Sequence, residues 1–288
     1  MKYRNGVFLK ELYLLGRDSL RESPVENPEL ESSLLLSKTL GINAIDIYAY
    51  PERKVGLEEV EEFKRLLDRR LKREPVAYIL GEKEFYSRPF IVTPNVLIPR
   101  PETEILVEEA LKVIKNISHP LVVDTGTGSG CIAVTIGCEC GDARIFATDI
   151  SFEALLVARA NSKRHRAIES VSLVRMDFLS GFKKESIDIV FSNPPYVSES
   201  DFSKLEPNVR DFEPKESLLG GEDGLDCIRK IVHQSGRVLK NGGWCIVEVG
   251  ANQYESVSEI FDYAGFRSVS SVKDLSGIER VIKGKWIR

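Results

Sequence analysis

Asp124-Thr125-Gly126-Thr127-Gly128-Ser129-Gly130 follows the short apolar run Leu121-Val122-Val123 and leads into a helical pattern that starts at Gly130. Strand, glycine turn and helix in that order mark the carboxyl edge of a parallel sheet, where folds of this kind bind ligands. Glycines let the chain turn sharply and let a ligand approach the backbone with no Cβ in the way. Alone, the stretch reads equally as a plain glycine-rich loop. A dinucleotide site asks for G-x-G-x-x-G, yet the sixth place counted from Gly126 is Cys131. The motif here is D-x-G-x-G-x-G, headed by an acid.

Outward from this turn, strands and helices alternate. Strands are expected at 121–123, 144–148, 171–174, 187–191, 244–249, 266–273 and 279–286. Helices are expected over 101–115, from Gly130 onward, over 152–165 and 224–239, and once more before residue 266. This predicts an α/β fold, a seven-stranded, mostly parallel sheet wrapped by helices. Towards the N-terminus the pattern is helical. Phe8, Leu9, Leu12, Tyr13, Leu15 and Leu20 make one apolar face, and Leu30, Leu34, Leu35 and Leu40 a second. Val60, Phe63, Leu66, Leu67 and Leu71 make a third. Asn27-Pro28 and Gly41 bracket the second helix, and Pro75 stops the third. Between the halves, Glu84 to Thr93 reads as a β-hairpin turning at Ser87-Arg88-Pro89. The expected division is 1–82, a small helical bundle suited to substrate docking; 83–98, a hairpin linker; and 99–288, the α/β domain.

The chain has 288 residues, 42% of them hydrophobic, and a net charge of -4, so it lacks the basic excess of a protein that binds by neutralising phosphates. Five cysteines contain no CxxC pair, and three scattered histidines offer no metal site. The start, Met1-Lys2-Tyr3-Arg4, is followed by an amphipathic pattern rather than a signal-peptide core, and no run is long enough to span a membrane. A cytoplasmic protein with no membrane partner is expected.

The acid-headed glycine motif resembles the first motif of class I S-adenosylmethionine methyltransferases. The resemblance implies S-adenosyl-L-methionine as cofactor and S-adenosyl-L-homocysteine as product. In that family the leading acid, here Asp124, lies near the methionine ammonium, directly or through water, and the loop Thr125, Gly126, Thr127, Gly128 and Gly130 passes the methionine and ribose. Thr148-Asp149-Ile150 ends the second strand. The two oxygens of Asp149 can bind both ribose hydroxyls, a role shared with nicotinamide folds; capping the next helix is the plainer reading, although Ser151 can do that alone. Asp177-Phe178, after the third strand, matches the position that holds and covers adenine.

The fourth strand runs into Ser192-Asn193-Pro194-Pro195-Tyr196-Val197. Two prolines fix φ and remove two donors, which makes either a rigid turn or a rigid platform. An amide nitrogen is a poor nucleophile because its lone pair is delocalised. N–H groups bonded to the Asn193 side-chain oxygen and to the Pro194 carbonyl would hold it and raise its electron density. The face of Tyr196 can stack on a planar amide or base. Positioning then supplies much of the rate, with reacting atoms held roughly 3–3.5 Å apart. Asn193-Pro194-Pro195-Tyr196 resembles the motif of amino-methyltransferases that act on glutamine, adenine, cytosine or guanine nitrogens.

Three further stretches narrow the resemblance. They are Arg73 to Gly81 with Glu84-Phe85-Tyr86; Thr93 to Glu104; and Leu205 to Pro214 with Leu218 to Asp226. With Glu248-Val249-Gly250, Gln253 and Asp274 to Arg280, they resemble the HemK/PrmC family of release factor glutamine methyltransferases from about residue 70 to the end. The family implies methylation at N5 of the glutamine in the Gly-Gly-Gln motif of class-1 peptide release factors. Arg100 to Thr103 fall in the loop leading to the site, where Arg100 reads as a substrate contact or as a structural ion pair. Arg210 and Glu213 are expected to brace the loop over the pocket. Val197, Thr125 and Ser276 depart from the usual Ile, Leu and Ala, and none removes a polar catalytic group. The alternative is an amino-methyltransferase acting on a flipped nucleic-acid base.

Overall fold

In a computed structural model, which describes residues 7–288, the helix pattern near the N-terminus resolves into β1 (Val7–Phe8), α1 (Leu9–Arg21), α2 (Pro28–Leu40), α3 (Ala44–Ala49), β2 (Lys54–Val55), α4 (Leu57–Leu71) and α5 (Val76–Leu80). The start Met1-Lys2-Tyr3-Arg4 lies outside the described residues. Pro28 at the first turn and Gly41, left-handed at φ 61°, bracket α2 as its sequence requires. The antiparallel pair β1–β2 was not expected from the helical pattern.

The buried face of α2 also differs from the expected leucine stripe. Ser32, Ser33, Leu35 and Leu36 are buried, whereas Leu30 is 55% exposed. The reason lies on α1. A Cβ on Gly16 would stand 2.5 Å from Ser32 Oγ and 2.7 Å from Phe63, so helices α1, α2 and α4 meet at a point that only small residues allow. Ser32 Oγ donates to the Tyr13 carbonyl there, at 2.9 Å, which removes the cost of burying it. Leu15 and Leu71, expected inward, are 41% and 37% exposed.

The chain divides into two compact units. The first runs to Gly81 and includes Pro207–Phe212; the second comprises Glu82–Glu206 and Glu213–Arg288. A boundary drawn in chain order cannot express that return of the chain. The hairpin, β3 (Glu82–Phe85) and β4 (Arg88–Ile91), belongs to the second unit, with Phe85 and Phe90 in its core. Phe85 pairs with Arg88, so the turn is Tyr86-Ser87, both at positive φ (51° and 57°). Two-residue hairpin turns need that conformation. Neither residue advertises it, which is why the expected turn fell too late.

The second unit continues with α6 (Thr103–Ile114), β5 (Leu121–Thr125), α7 (Cys131–Glu139), β6 (Arg144–Asp149), α8 (Phe152–Arg164), β7 (Val171–Arg175), β8 (Ile187–Ser192) and α9 (Glu199–Phe202). After α10 (Pro207–Arg210), which lies in the segment assigned to the first unit, come α11 (Asp226–Val238), β9 (Leu239–Glu248), α12 (Tyr254–Tyr263), β10 (Phe266–Lys273) and β11 (Glu279–Trp286). The seven-stranded sheet has the order β10-β11-β9-β8-β5-β6-β7, parallel except where β11 pairs with β9 and β10. This is the class I methyltransferase fold. One face packs on α6 and α7 around Val122, Ile145, Ile189 and Phe191, and the other on α11 and α12 around Val123, Val190 and Val247. Helices α6 and α11 each start two residues later than expected; before α11, glycines at 221 and 224 with φ 96° and 80° keep the chain in a loop. Strand order reverses between β5 and β8, the point at which such sheets open a crevice.

Candidate active site

At that crevice the second unit encloses a cavity of about 410 Å³, within the size range of small-molecule sites. The glycine turn forms one wall. Gly126 and Gly128 stand at φ 74° and 54°, and the amides of Gly126 and Thr127 both donate to the Thr148 carbonyl at 2.9 Å. A Cβ on Gly128 would meet nothing within 4 Å, and one on Gly126 only Ser192 Oγ at 3.9 Å. Both positions are therefore bare backbone facing open space. Gly130 does something else. It does not line the cavity, and its missing Cβ would lie 3.0 Å from Ala158 Cβ, so it lets α7 start against α8.

Asp124 is fully buried behind the turn. Its Oδ2 accepts from Thr127 Oγ1 at 2.6 Å and from the Ala133 amide at 3.2 Å, and its Oδ1 has no partner. Burial pushes its carboxyl up to about 7 despite these two donors. Asp124 does not itself line the cavity, so a cationic ligand there would sense its charge across the turn. Thr125 is buried too and acts as mortar, its carbonyl accepting from Ser192 Oγ at 2.5 Å and its hydroxyl lying 3.2 Å from Thr148 Oγ1.

Asp149 lines the cavity and is not the cap of α8. Ser151 is, its Oγ accepting from the Ala154 amide at 3.1 Å. The Asp149 oxygens instead take the amides of Gly128 and Ser151, each at 2.9 Å, which sets the carboxylate across the mouth of the turn. Burial raises its pKa, and these amides oppose the rise. Ile150, 65% exposed, borders the cavity, as do Asp177 and Phe178. Phe178 is held at φ 48°, rare for a ring-bearing residue, and Thr148 Oγ1 donates to its carbonyl at 3.2 Å.

Asn193 and Pro195 line the opposite wall; Pro194 is buried and Tyr196 half-buried behind it. Asn193 Nδ2 donates to Thr103 Oγ1 at 3.0 Å, which leaves its Oδ1 as the acceptor end of the amide. The motif is clamped from behind. Val197 exchanges backbone bonds with Leu218 and Gly220 at 2.9 Å, and Gln253 Nε2 donates to the Tyr196 carbonyl at 2.9 Å. A Cβ on Gly224 would lie 2.4 Å from that same carbonyl, so the glycine loop that precedes α11 presses on the motif's backbone. The Tyr196 hydroxyl lies 3.5 Å from Glu248 Oε1. Burial first, then the Glu248 charge, push the phenol well above its usual range, so it stays a neutral donor.

Arg100 forms the structural ion pair that its sequence allowed, its guanidinium meeting Glu213 Oε1 at 2.5 Å, and it also stands at the cavity. Glu213, almost wholly buried, uses its other oxygen to accept the Ile98 amide at 3.0 Å, fastening the 95–103 loop. Arg210 pairs with Asp211 in the segment assigned to the first unit.

Sequence reasoning gave no role to Asn95, Thr103, Glu216, Cys227 or Glu248, although all but Glu248 line the cavity. Two left a trace. Thr103 is a polar residue at the buried face of α6, and Glu248 an acid that closes the apolar strand Trp244-Cys245-Ile246-Val247. Among the described residues, no group of three or more His, Cys, Asp or Glu is arranged to hold a metal, and no helix is long and apolar enough to cross a membrane.

Comparison with known proteins follows the same division. The PrmC N-terminal domain model matches residues 11–81, and the methyltransferase small domain model residues 102–206. The chain is 40% identical to the release factor glutamine methyltransferase of Geobacter sulfurreducens over 269 residues, 93% of either chain. It is 39% identical to that of Koribacter versatilis, covering 96% of this chain and 98% of the relative. Among solved structures it resembles the hMettl16 catalytic domain in complex with the MAT2A 3'UTR hairpin 6, with a TM-score of 0.56 and 15% identity over 69% of this chain and 76% of that one. At that identity the likeness is one of fold.

Proposed function

The chain belongs to the release factor glutamine methyltransferase family, and from that premise we propose that it transfers a methyl group from S-adenosyl-L-methionine to N5 of the glutamine in the Gly-Gly-Gln motif of class-1 peptide release factors, in the cytoplasm. The observation that carries the reading is the fixed amide of Asn193. With Nδ2 engaged by Thr103, the group presents an acceptor, which is what a carboxamide NH2 needs.

The bare backbone at Gly126 and Gly128, the Asp149 carboxylate and, behind the turn, the unpartnered Asp124 oxygen fit the methionine and ribose of the cofactor; Asp177 and Phe178 fit its adenine. When bound, the cofactor supplies a sulfonium methyl whose S–C bond breaks as the new N–C bond forms, leaving S-adenosyl-L-homocysteine. This chain's own residues supply position. Asn193 Oδ1 accepts one N–H of the substrate amide and the Pro194 carbonyl the other, drawing electron density onto nitrogen. Holding the amide in this way removes much of the entropic part of the barrier. The prolines keep their carbonyls in a fixed direction because their φ cannot relax. Tyr196 offers a ring beside the planar amide, and its neutral hydroxyl anchors it to Glu248. The nitrogen sheds its proton as or after the bond forms. The helical unit that carries α1 to α5 is proposed to dock the protein substrate.

Purified protein with methyl-labelled S-adenosyl-L-methionine tests the reading. The substrates are a release factor, the same factor with its Gly-Gly-Gln glutamine replaced, and pooled DNA and ribosomal RNA. Label on the intact factor alone is expected. Label on nucleic acid with none on the factor would replace the proposal by base methylation on the same scaffold.

A further inference from the structure

Asn193 can hold its amide in two ways that differ only by exchange of oxygen and nitrogen, and only one of them presents an acceptor to a substrate NH2. Nothing in the Asn-Pro-Pro-Tyr segment chooses between them. Thr103 does. Its hydroxyl accepts from Asn193 Nδ2 at 3.0 Å, so its own proton is free to point elsewhere. Beside it lies Glu248, a carboxyl group 1% exposed at the end of β9. One Glu248 oxygen faces the Tyr196 hydroxyl at 3.5 Å, and the other, Oε2, is buried without a partner. An ionised carboxylate can only accept, so the Thr103 proton is drawn towards Glu248 and the Thr103 lone pair towards Asn193.

We propose that Glu248 and Thr103 are positioning residues that set the polarity of the Asn193 amide, with Glu248 fixing the direction of the Thr103 hydroxyl and the hydroxyl fixing which end of Asn193 faces the substrate. This rests on the reading of Asn193 as the acceptor for a substrate nitrogen. It adds that the acceptor is made by residues 90 and 55 positions away in the chain, on α6 and β9. A merely structural Thr103 would fill space at the start of α6, and valine would fill it nearly as well.

The direction of the hydroxyl depends on the charge of Glu248. Burial raises this carboxyl to about 7, against the lowering influence of Thr103, Arg280 and Tyr196; the Glu102 charge adds to the rise. The Cys131 thiol, itself pushed up to about 12 by burial, also senses the Glu248 charge. Once protonated, Glu248 becomes a donor, and the hydroxyl no longer has a fixed direction.

The test compares the full-length wild type with Thr103→Val, Thr103→Ser and Glu248→Gln. Three readings are taken: binding of S-adenosyl-L-homocysteine by calorimetry, kcat and KM at saturating cofactor from pH 6 to 8.5, and exchange of the Asn193 side-chain amide protons by NMR. Thr103→Val is expected to bind the cofactor product within about threefold of wild type, to lose roughly 10- to 100-fold in kcat, and to exchange its Asn193 amide protons faster. Thr103→Ser should restore both readings to within about threefold. Glu248→Gln should lower kcat at pH 8 about tenfold and remove the fall in kcat below pH 7. Wild-type kcat and amide exchange in Thr103→Val would overturn the proposal, as would an unchanged pH profile in Glu248→Gln. If Thr103→Val does not fold, Thr103→Ser and Glu248→Gln decide the matter: a serine variant unlike wild type, or a glutamine variant identical to it, overturns the proposal. The exchange measurement needs no methyl acceptor, and the kinetics use whichever acceptor the wild type methylates. An incorrect substrate assignment is thereby distinguished from an incorrect role for Thr103 and Glu248.

Discussion

Replacing Gly130 by alanine places a methyl group 3.0 Å from Ala158 Cβ and 3.2 Å from Ala158 Cα, on a residue held at φ 78°. The left-handed backbone costs an alanine about 1–2 kcal/mol. Forcing α7 and α8 apart by a few tenths of an ångström adds about 1–2 kcal/mol, the low end for overpacking. The total of roughly 2–4 kcal/mol should lower Tm by about 4–15 °C for a unit of this size. Gly128→Ala carries the same backbone cost at φ 54° but meets no atom within 4 Å, so its Tm should fall by only a few degrees. Its methyl group enters the cavity, and cofactor affinity should fall at least about tenfold, a loss of about 1.4 kcal/mol. Thermal unfolding by circular dichroism and calorimetric titration with S-adenosyl-L-homocysteine, well below either Tm, separate the two effects. Gly130→Ala should unfold early and bind well; Gly128→Ala should be nearly as stable as wild type and bind poorly. A Gly130 variant of unaltered Tm that fails to bind would refute the division of the turn into a ligand-facing part and a helix-packing part.

Asn193→Ala should keep cofactor binding within about threefold and lose roughly 100- to 1000-fold in kcat, the size seen when one fixed polar partner of a reacting group is removed; loss of the fold instead would make the residue a structural one. Asp124 and Glu248 are both raised to about 7 by burial, so between their ordinary values and about 7 the folded chain binds more protons than the unfolded one. Stability from these two groups is therefore complete below about pH 4 and is lost as pH rises through about 7, by on the order of 3–4 kcal/mol each. Chemical denaturation of the ligand-free protein from pH 5 to 8.5 should follow that fall, and Glu248→Gln should flatten its share of it; a stability that rises across this range would contradict the assignment. Affinity for the cofactor, whose ammonium would sense an ionised Asp124 only at the upper end, should increase between pH 6 and 8, and calorimetry on Asp124→Asn should show that dependence lost. Glu213→Gln removes the charge that holds Arg100 and weakens the acceptor for the Ile98 amide, so the loop bordering the cavity should loosen. We expect a stability loss of about 1–3 kcal/mol by denaturant titration, together with raised KM for the protein substrate at little change in kcat.

Much of this protein is legible in the chain because the physics that shapes it is local. The turn 126–130 needs glycine wherever φ is positive, Pro28 and Gly41 set the ends of α2 from their own backbone preferences, and the two prolines after Asn193 stiffen the end of β8 with no help from elsewhere. All seven strands of the sheet were expected from the sequence, with ends moved by at most five residues. The length, the net charge and the acid-headed motif already pointed to a cofactor-binding α/β enzyme rather than a phosphate-neutralising one. What the chain could not disclose depends on residues far apart in sequence meeting in space. Gly16 makes Ser32 a core residue because three helices converge on it. Gly130 looks like its neighbours in the motif but serves Ala158, and Tyr86-Ser87 turn a hairpin only because Phe85 and Arg88 are paired. The polarity of Asn193 is the sharpest case, since a side-chain amide is locally indifferent to which end faces the cavity. That choice passes to a hydroxyl on α6 and a buried carboxyl group on β9, which only the tertiary structure brings to the same place.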